Sequence, residues 1–238
     1  MSDLDYSPGL REASAWLCLR QDIYISMVNQ TPLKTELSAF EQLDTLLRRT
    51  DDFAYAAAMV LLLARVMTCA FAEPSADKLE GLEKLRAEVD EWFDKKPSSF
   101  RPIRQVPRDL NAGRALPELW LLLPCHVIGL QYYHIAQVVL LLIMPMEQSS
   151  GYGDLRRGSR KEATIRNHLR HIIALAQSNT RAENVLFSAR HAISVWGGIL
   201  RHYADQEAVE SFLRHMQAIT GWNTTPLISS LREQWNEN

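Results

Sequence analysis

Cysteine is scarce in this sequence, and its placement argues against a metal or disulfide framework. Three cysteines occur among 238 residues, namely Cys18, Cys69 and Cys125. They are odd in number, far apart and set in apolar stretches, whereas zinc sites and disulfide frameworks need closely spaced pairs. We therefore predict three buried free thiols in a reducing compartment, with no metal site and no cofactor.

The sequence also lacks an excess of basic charge. It carries 26 Lys and Arg against 28 Asp and Glu, so the formal net charge is -2, and no basic run is present. Nucleic-acid binding depends on clustered Lys and Arg that neutralise phosphates. We therefore expect no direct binding of nucleic acid.

Motifs that identify common enzymes are missing as well. The sequence has no glycine-rich phosphate loop, no Gly-x-Ser-x-Gly nucleophile elbow and no paired-carboxylate pattern. Residues 1–9 are polar and acidic and do not resemble a signal peptide. Whether the chain is an enzyme stays open on these grounds.

Helical periodicity is what the sequence does contain. Almost every segment repeats its apolar residues with the period of a helix, and almost none alternates as a strand does. Hydrophobic residues make up 47% of the chain, enough for a substantial core. We predict an all-α fold, a single domain of roughly ten helices over residues 1–238.

The periodicity also places the individual helices. Asp51 or Asp52 is a suitable N-cap for the third of them, and Pro124 is a candidate kink in the helix after Pro117. A loop is predicted over 148–159. The predicted helices are 10–29, a short one with Phe40, Leu43, Leu46 and Leu47 on one face, 53–72, 76–95, the segment from Pro117 to near Pro145, 161–177, 182–203, 206–220 and 226–235.

One irregular segment interrupts this pattern, and it is the candidate internal boundary, 97–117. Four prolines break it, and it carries Arg101, Arg104, Arg108 and Arg114. Loops of this length are either solvated connectors or functional surfaces that engage partners. Both interpretations stay open.

The stretch Trp120–Met146 is apolar and long enough to cross a membrane. It nevertheless carries His126, Gln131, His134 and other polar groups, which would be costly at the centre of a bilayer. We interpret it as a core helix that crosses the centre of a bundle, and we expect no membrane partner.

Arg20 is the first candidate binding residue, because it lies in line with the apolar stripe of the first helix. A buried guanidinium must be paired. Its partner is either a protein group, which makes Arg20 a structural strut, or the carboxylate of a small effector.

The central helix carries the main polar constellation: His126, Tyr133, His134 and Gln137. They either satisfy one another within a packed core or form the wall of an apolar pocket of roughly 300 Å³ or more. We predict such a pocket. Contributions are expected from Arg20, and the further ligand-binding candidates are Trp120, His191 and Trp196.

Two other features have competing interpretations. His168 and His171 are three residues apart on a basic helix, where a solvated face is favoured over a metal site because no further ligand set accompanies them. Trp196 is followed by Gly197 and Gly198, which indicates either close helix packing or room for a ligand beside the indole.

Four segments carry a family resemblance, and they fall in the same order as in the family. They are the helix 19–30 with its Arg-Gln-acid-hydrophobic-Tyr run and following Gln-x-Pro turn, the segment 120–134 with the pattern W-x-x-x-P-x-H-V-x-G-x-Q-Y-Y-H, the run 189–194, and the Gly-Trp turn at 221 with the terminal helix around 231–235. Together they resemble the regulatory region of fungal zinc-cluster transcription factors.

The resemblance implies an effector-sensing and interaction domain that binds a small hydrophobic or carboxylate effector and protein partners. Family members also carry a six-cysteine cluster that holds two zinc ions and contacts DNA, and three dispersed cysteines cannot form it. The chain is therefore either an excised regulatory domain or a stand-alone protein. If the chain is part of a transcription factor, we expect it in the nucleus. If it is a stand-alone protein, we expect it in the cytoplasm.

The stand-alone alternative is a repurposed protein of fungal secondary metabolism. In it the apolar pocket binds or cyclises a hydrophobic intermediate, with His126, His134 or Tyr133 as the proton donor. Met1 favours this alternative, and the absence of a catalytic motif favours the regulatory one.

The charge balance and cysteine pattern generate the first prediction. The isolated chain is expected to show no sequence-specific binding of duplex DNA and no stoichiometric zinc, because it lacks both the basic cluster and the cysteine pairs. A mobility-shift assay and metal analysis measure these. Tight, salt-dependent binding of duplex DNA would contradict the prediction.

Overall fold

The computed structural model describes residues 10–41, 51–75, 77–145 and 152–237. Helices dominate this part of the chain, so the all-α class is confirmed. The helices are α1 (Leu10–Asn29), α2 (Ser38–Glu41), α3 (Asp52–Phe71), α4 (Lys78–Asp94), α5 (Pro124–Ile143), α6 (Tyr152–Ser178), α7 (Glu183–Trp196), α8 (Tyr203–Thr220) and α9 (Thr225–Asn236).

The predicted count of roughly ten helices is slightly high. Within the described residues eight helices have twelve residues or more, and α2 has four. The apolar face predicted for Leu43, Leu46 and Leu47 lies outside the described residues. Asp51 caps α3 as one of the two predicted candidates, since its carboxylate accepts the Ala54 N–H at 2.8 Å.

Helices α3 and α5 form the centre of the bundle and share the most extensive helix–helix interface. Helix α4 packs on both, α6 packs along α5, and α1 and α7 close another side. Both central helices are long and apolar enough to cross a membrane, yet over half of each apolar stretch is buried inside the fold. A helix that is apolar nearly all round is typical of a core position.

The irregular segment contains more ordered backbone than its sequence indicates. A 3-10 turn, Ser98–Phe100, precedes strand β1 (Arg104–Val106), which pairs antiparallel with strand β2 (Glu118–Trp120). The sequence had placed Glu118–Trp120 in the central helix. That helix instead begins at Pro124, which occupies its first turn rather than a kink, because proline at this position loses no helical hydrogen bond.

One further boundary and one thiol differ from expectation. Helix α6 begins at Tyr152, so residues 152–159 of the predicted loop are helical. Cys18 is exposed on α1, whereas Cys69 and Cys125 are partly buried, and all three thiols are free. The prediction of three buried thiols is therefore wrong for Cys18.

Asp205 joins the irregular segment to the bundle. Its carboxylate is 1% exposed and accepts from the Arg108 guanidinium at 3.0 Å and from Arg170 at 3.0 and 2.7 Å. Burial alone would raise the pKa of Asp205, but the hydrogen bonds and charges of Arg170 and Arg108 outweigh it, and the pKa lies below its usual value. The first turn of α8 is thereby tied to α6 and to the segment before β2.

Close packing at the C-terminal helix explains the tandem glycines. A Cβ on Gly197 would lie 2.7 Å from the Leu231 side chain, and the Trp235 indole donates to the Gly197 carbonyl at 2.9 Å. Of the two interpretations of this sequence, the structure supports close helix packing at Gly197.

We predict that Asp205→Asn lowers the free energy of unfolding by about 3 kcal/mol or more, because removing one member of a buried ion pair leaves the others without compensation. Urea unfolding followed by circular dichroism measures this. Stability from the ionised carboxylate is present above its unfolded pKa and is lost as the pH falls through the lower folded pKa.

The matched control is Glu210→Gln on the same helix. Glu210 also binds two arginines, Arg214 and Arg232, but both are more than half exposed. Surface pairs contribute about 0–1 kcal/mol. An equal loss in both variants would refute the special role of Asp205.

Candidate functional site

The candidate site is an apolar cavity between α1, α3 and the start of α5. Its volume is about 220 Å³. Helix α1 contributes its polar corner, while α3 and α5 contribute mostly apolar side chains. The lining residues are Trp16, Arg20, Phe53, Ala56, Ala57, Val60, Cys125 and Ile128.

Arg20 supplies the charge of this cavity. Its side chain is half-buried, and it makes no hydrogen bond or ion pair with another described residue. Both roles predicted from sequence need burial beside a partner, and a strut would be bonded to protein groups. The geometry places Arg20 at a cavity wall, as a ligand anchor requires, and its binding role stays a prediction.

Trp16 lies one helical turn before Arg20 and supplies a second donor. The side chain is 6% exposed, and its indole packs edge-on against Phe40 with ring centroids 5.3 Å apart. The indole nitrogen is buried without a hydrogen-bond partner among the described residues. A buried donor without a partner costs free energy, so this site favours an acceptor.

Cys125 brings a thiol to the same wall. It is partly buried, and burial raises the pKa of the thiol. The neutral form therefore prevails, and Cys125 is a weak nucleophile here.

His126 follows Cys125 but lies on a packed side of α5. The ring is fully buried, its Nε2 is 2.7 Å from Asp52 Oδ2, and it lies against Phe100 with centroids 4.5 Å apart. Asp52 also accepts from Ser99 at 2.8 Å. The bonds from His126 and Ser99 lower the pKa of Asp52.

His134 is packed too, against two other histidines. Its Nδ1 is 2.8 Å from His168 Nδ1, and its ring stacks on His171 with centroids 4.9 Å apart. The sequence placed His168 and His171 on a solvated face, and the structure turns both toward His134. Among the described residues no set of three His, Cys, Asp or Glu is arranged to hold a metal ion.

The packing of His126 and His134 against protein groups does not favour the pocket predicted beside them, which stays a prediction. Neither His126 nor His134 lines any of five cavities that the described residues form. Two cavities adjoin the central helix elsewhere, one at Cys125 and Ile128 and one of about 400 Å³ near its end, where Gln137 contributes to the lining. Helical periodicity locates polar residues on a helix but does not say which side lacks a neighbour.

Tyr133 and Gln137 face α4. The Tyr133 ring stacks on Phe93 with centroids 4.2 Å apart, and burial, followed by the charge of Asp90, raises the pKa of Tyr133 to about 12. Gln137 donates to Asp90 Oδ1 at 2.6 Å. Both side chains thus connect α5 to α4.

The remaining sequence candidates are dispersed. His191 stacks on Tyr24 with centroids 4.9 Å apart and its Nδ1 donates to the Phe187 carbonyl. Trp196 is buried at the end of α7, and Trp120 is 46% exposed on β2. Of the predicted set, the structure brings only Arg20 to the α1–α3–α5 cavity.

Sequence reasoning missed Trp16 and Cys125 as lining residues. Trp16 lies four residues before Arg20, and this spacing places both side chains on one face of α1. That spacing was the available signal. The side chains of α3 that complete the cavity carry no polar signal.

The histidine cluster generates a pH prediction. Burial lowers the pKa of His134, and burial together with the charge of His171 lowers that of His168 to about 4. The pKa of a histidine in an unfolded chain is about 6.5. Below that pH the unfolded chain binds protons that the folded chain does not, so stability is full above about 6.5 and falls toward pH 4.

Denaturant unfolding at several pH values measures this loss, whose slope is up to about 1.4 kcal/mol per pH unit for each such proton. His168→Gln is expected to flatten the profile between pH 6.5 and about 4. The control, His215→Gln, lies exposed on α8 and should leave the profile unchanged. Identical profiles for His168→Gln and the unmodified chain would rule out this origin.

Comparisons with known proteins point to transcription. No protein-family model matches the chain, and no solved structure matches it. The transcription activator AMTR1 of Alternaria alternata is 24% identical over 166 residues, which cover 65% of this chain. The chain spans about a fifth of the length of that relative, 21%. The chain is thus similar to part of a fungal transcription activator, which is compatible with a regulatory role.

Proposed function

We propose that this chain is a regulatory helical domain that senses a small carboxylate at the α1–α3–α5 cavity. The observation that carries the proposal is the pair of donors, Arg20 and Trp16, which stand at an apolar cavity without partners among the described residues. Similarity to a transcription activator supports the regulatory part.

The donors fit a carboxylate. A guanidinium presents parallel N–H groups to the two oxygens of a carboxylate, and such charge-assisted bonds are stronger than neutral ones. The indole N–H of Trp16 is a donor only, so it adds selectivity for an acceptor over a second donor. A ligand with an ammonium or an amide N–H at this corner would leave both groups unmatched.

The rest of the lining fits a hydrocarbon body. Phe53, Ala57, Val60 and Ile128 present no hydrogen-bonding side chains, and burying apolar surface is favourable. At about 220 Å³ the cavity is smaller than the usual range for drug-sized ligands. The proposed effector is therefore a small apolar monocarboxylate.

Helix α1 supplies the link from ligand to fold. Tyr24, four residues after Arg20, hydrogen-bonds Ser188 of α7 at 2.8 Å and accepts from Tyr132 of α5 at 3.1 Å. A ligand that contacts Arg20 together with α3 and α5 would add a second attachment of α1 to the bundle, besides the hydrogen bonds of Tyr24. A ligand that binds only the folded state stabilises it by mass action, so occupancy would tighten the attachment of α1.

In the cell we place this activity in transcriptional control in the nucleus, in keeping with the activator that the chain resembles. The alternative is a stand-alone protein that binds or cyclises a hydrophobic intermediate. It would have to do so without His126, Tyr133 or His134, since none of them lines the cavity. Effector sensing is therefore the better-supported function.

The test is a thermal-shift and calorimetric screen of small aliphatic and aromatic monocarboxylates, each paired with its amide and its alcohol. A carboxylate present at about 100 times its dissociation constant is expected to stabilise the chain by about 2.7 kcal/mol. Its amide and alcohol should have little effect, because Arg20 then lacks an anionic partner.

Variants locate the effect. Arg20→Gln is expected to abolish the shift and leave the fold intact, and Trp16→Phe to weaken it while keeping a ring in place. Arg181→Gln, which is exposed between α6 and α7, is the control and should respond as the unmodified chain does. The proposal fails if no carboxylate stabilises the chain, or if Arg20→Gln responds fully.

A further inference from the structure

A second cavity lies between α4, the end of α5 and α6. Its volume is about 400 Å³. Its composition is different from that of the first cavity, since cationic side chains surround an apolar floor. The lining residues are Arg86, Gln137, Leu140, Leu141, Met144, Pro145, Arg157, Arg160, Lys161 and Thr164.

Among the described residues that line this cavity, four are cationic and none is a carboxylate. Two of its arginines form long ion pairs, Arg86 with Asp90 at 3.9 Å and Arg157 with Asp154 at 4.0 Å. In both pairs the side chains are about 40–60% exposed, and ion pairs of this kind contribute little. The chain as a whole has a net charge of -2, so this positive patch is a local concentration.

Lys161 has a structural role at this cavity. Lys161 donates to the Met144 carbonyl at 3.1 Å and so satisfies an acceptor at the end of α5. A cation near a helix C-terminus is also favourable for the helix dipole. Arg86 and Arg160 make no bond to that helix end among the described residues, so capping does not account for the patch.

We infer that this cavity binds an acidic peptide segment of a partner protein, with an apolar side chain inserted between the arginines. The cations are distributed: Arg160 and Lys161 lie on α6, and Arg86 lies on a different helix. Several carboxylates along a peptide match such a distribution. The floor of Leu140, Leu141 and Met144 accepts a leucine or phenylalanine.

The shape disfavours a membrane as the occupant. The cations surround a concave site with an apolar floor, whereas a bilayer surface is broad and contacts flat or convex basic faces best. Complementary charge steers association and fixes the register of a partner. The apolar insertion supplies the specific contact.

The experiment measures fluorescence anisotropy of a short labelled peptide that alternates Glu or Asp with Leu, added to the full chain. Saturable binding is expected, and it should weaken as salt is raised from about 0.05 M to about 0.5 M, because the Debye length shortens. Peptides with Lys in place of the acids, or Ser in place of Leu, should not bind.

Charge-reversal variants assign the site. Arg86→Glu and Arg160→Glu are each expected to weaken peptide binding about tenfold, equivalent to about 1.4 kcal/mol. Arg181→Glu carries the same change in net charge at an exposed position away from the cavity and should bind normally. Arg20→Gln should also bind normally, which separates this inference from the carboxylate site.

Three outcomes would overturn the inference. They are no saturable binding of the acidic peptide, equal losses for Arg160→Glu and Arg181→Glu, and a preference for phosphatidylserine vesicles over the peptide. Thermal unfolding of each variant checks that the fold is retained, and the salt titration gives an independent measure of the charge contribution.

Discussion

The carboxylate of Asp205 is the constraint on which the arrangement of the C-terminal half depends. Two guanidiniums converge on it, one from α6 and one from the irregular segment. A charge this deeply buried is tolerated only when it is paired and hydrogen-bonded. Burial of Asp205 therefore requires both arginines to be in place. Their ion pairs hold the start of α8 against α6 and against the segment that leads into β2.

The buried polar side chains of the central helix α5 are also hydrogen-bonded to neighbouring helices. Gln131 is fully buried and donates to the carbonyls of Ile172 and Val185 at 3.0 Å each, while Gln137 reaches Asp90 on α4. His126 reaches Asp52 on α3. These three side chains together bind groups on α3, α4, α6 and α7, and so help to define how those helices surround α5.

The all-α class and most helix bounds follow from the sequence, because a helix buries one face and the period of 3.6 residues records that face. The short sheet does not follow from the sequence, because strands of three residues such as Arg104–Val106 are too brief to show the alternation of polar and apolar residues. Pro124 was misjudged for a local reason: proline can either bend a helix or begin one, and only the preceding strand decides between them.

The candidate site was predicted in part. Arg20 was recognisable because a charge on an apolar stripe must have a partner. The polar residues of α5 were recognisable as a group, but their partners Asp52, Asp90 and His168 come from three other helices. Which side of a helix is left open depends on those neighbours, and one sequence does not reveal pairings between distant segments.

Gly197 has a consequence for how the chain can vary. The side chain of Leu231 occupies the space that any Cβ at this position would need, and the Trp235 indole binds the carbonyl of the same residue. The absence of a side chain at Gly197 thus leaves the space in which Leu231 of α9 packs. Any substitution that adds a Cβ at this position requires the Leu231 side chain to shift or α9 to move outward, so the effects of substitutions at Gly197 and Leu231 are expected to be coupled.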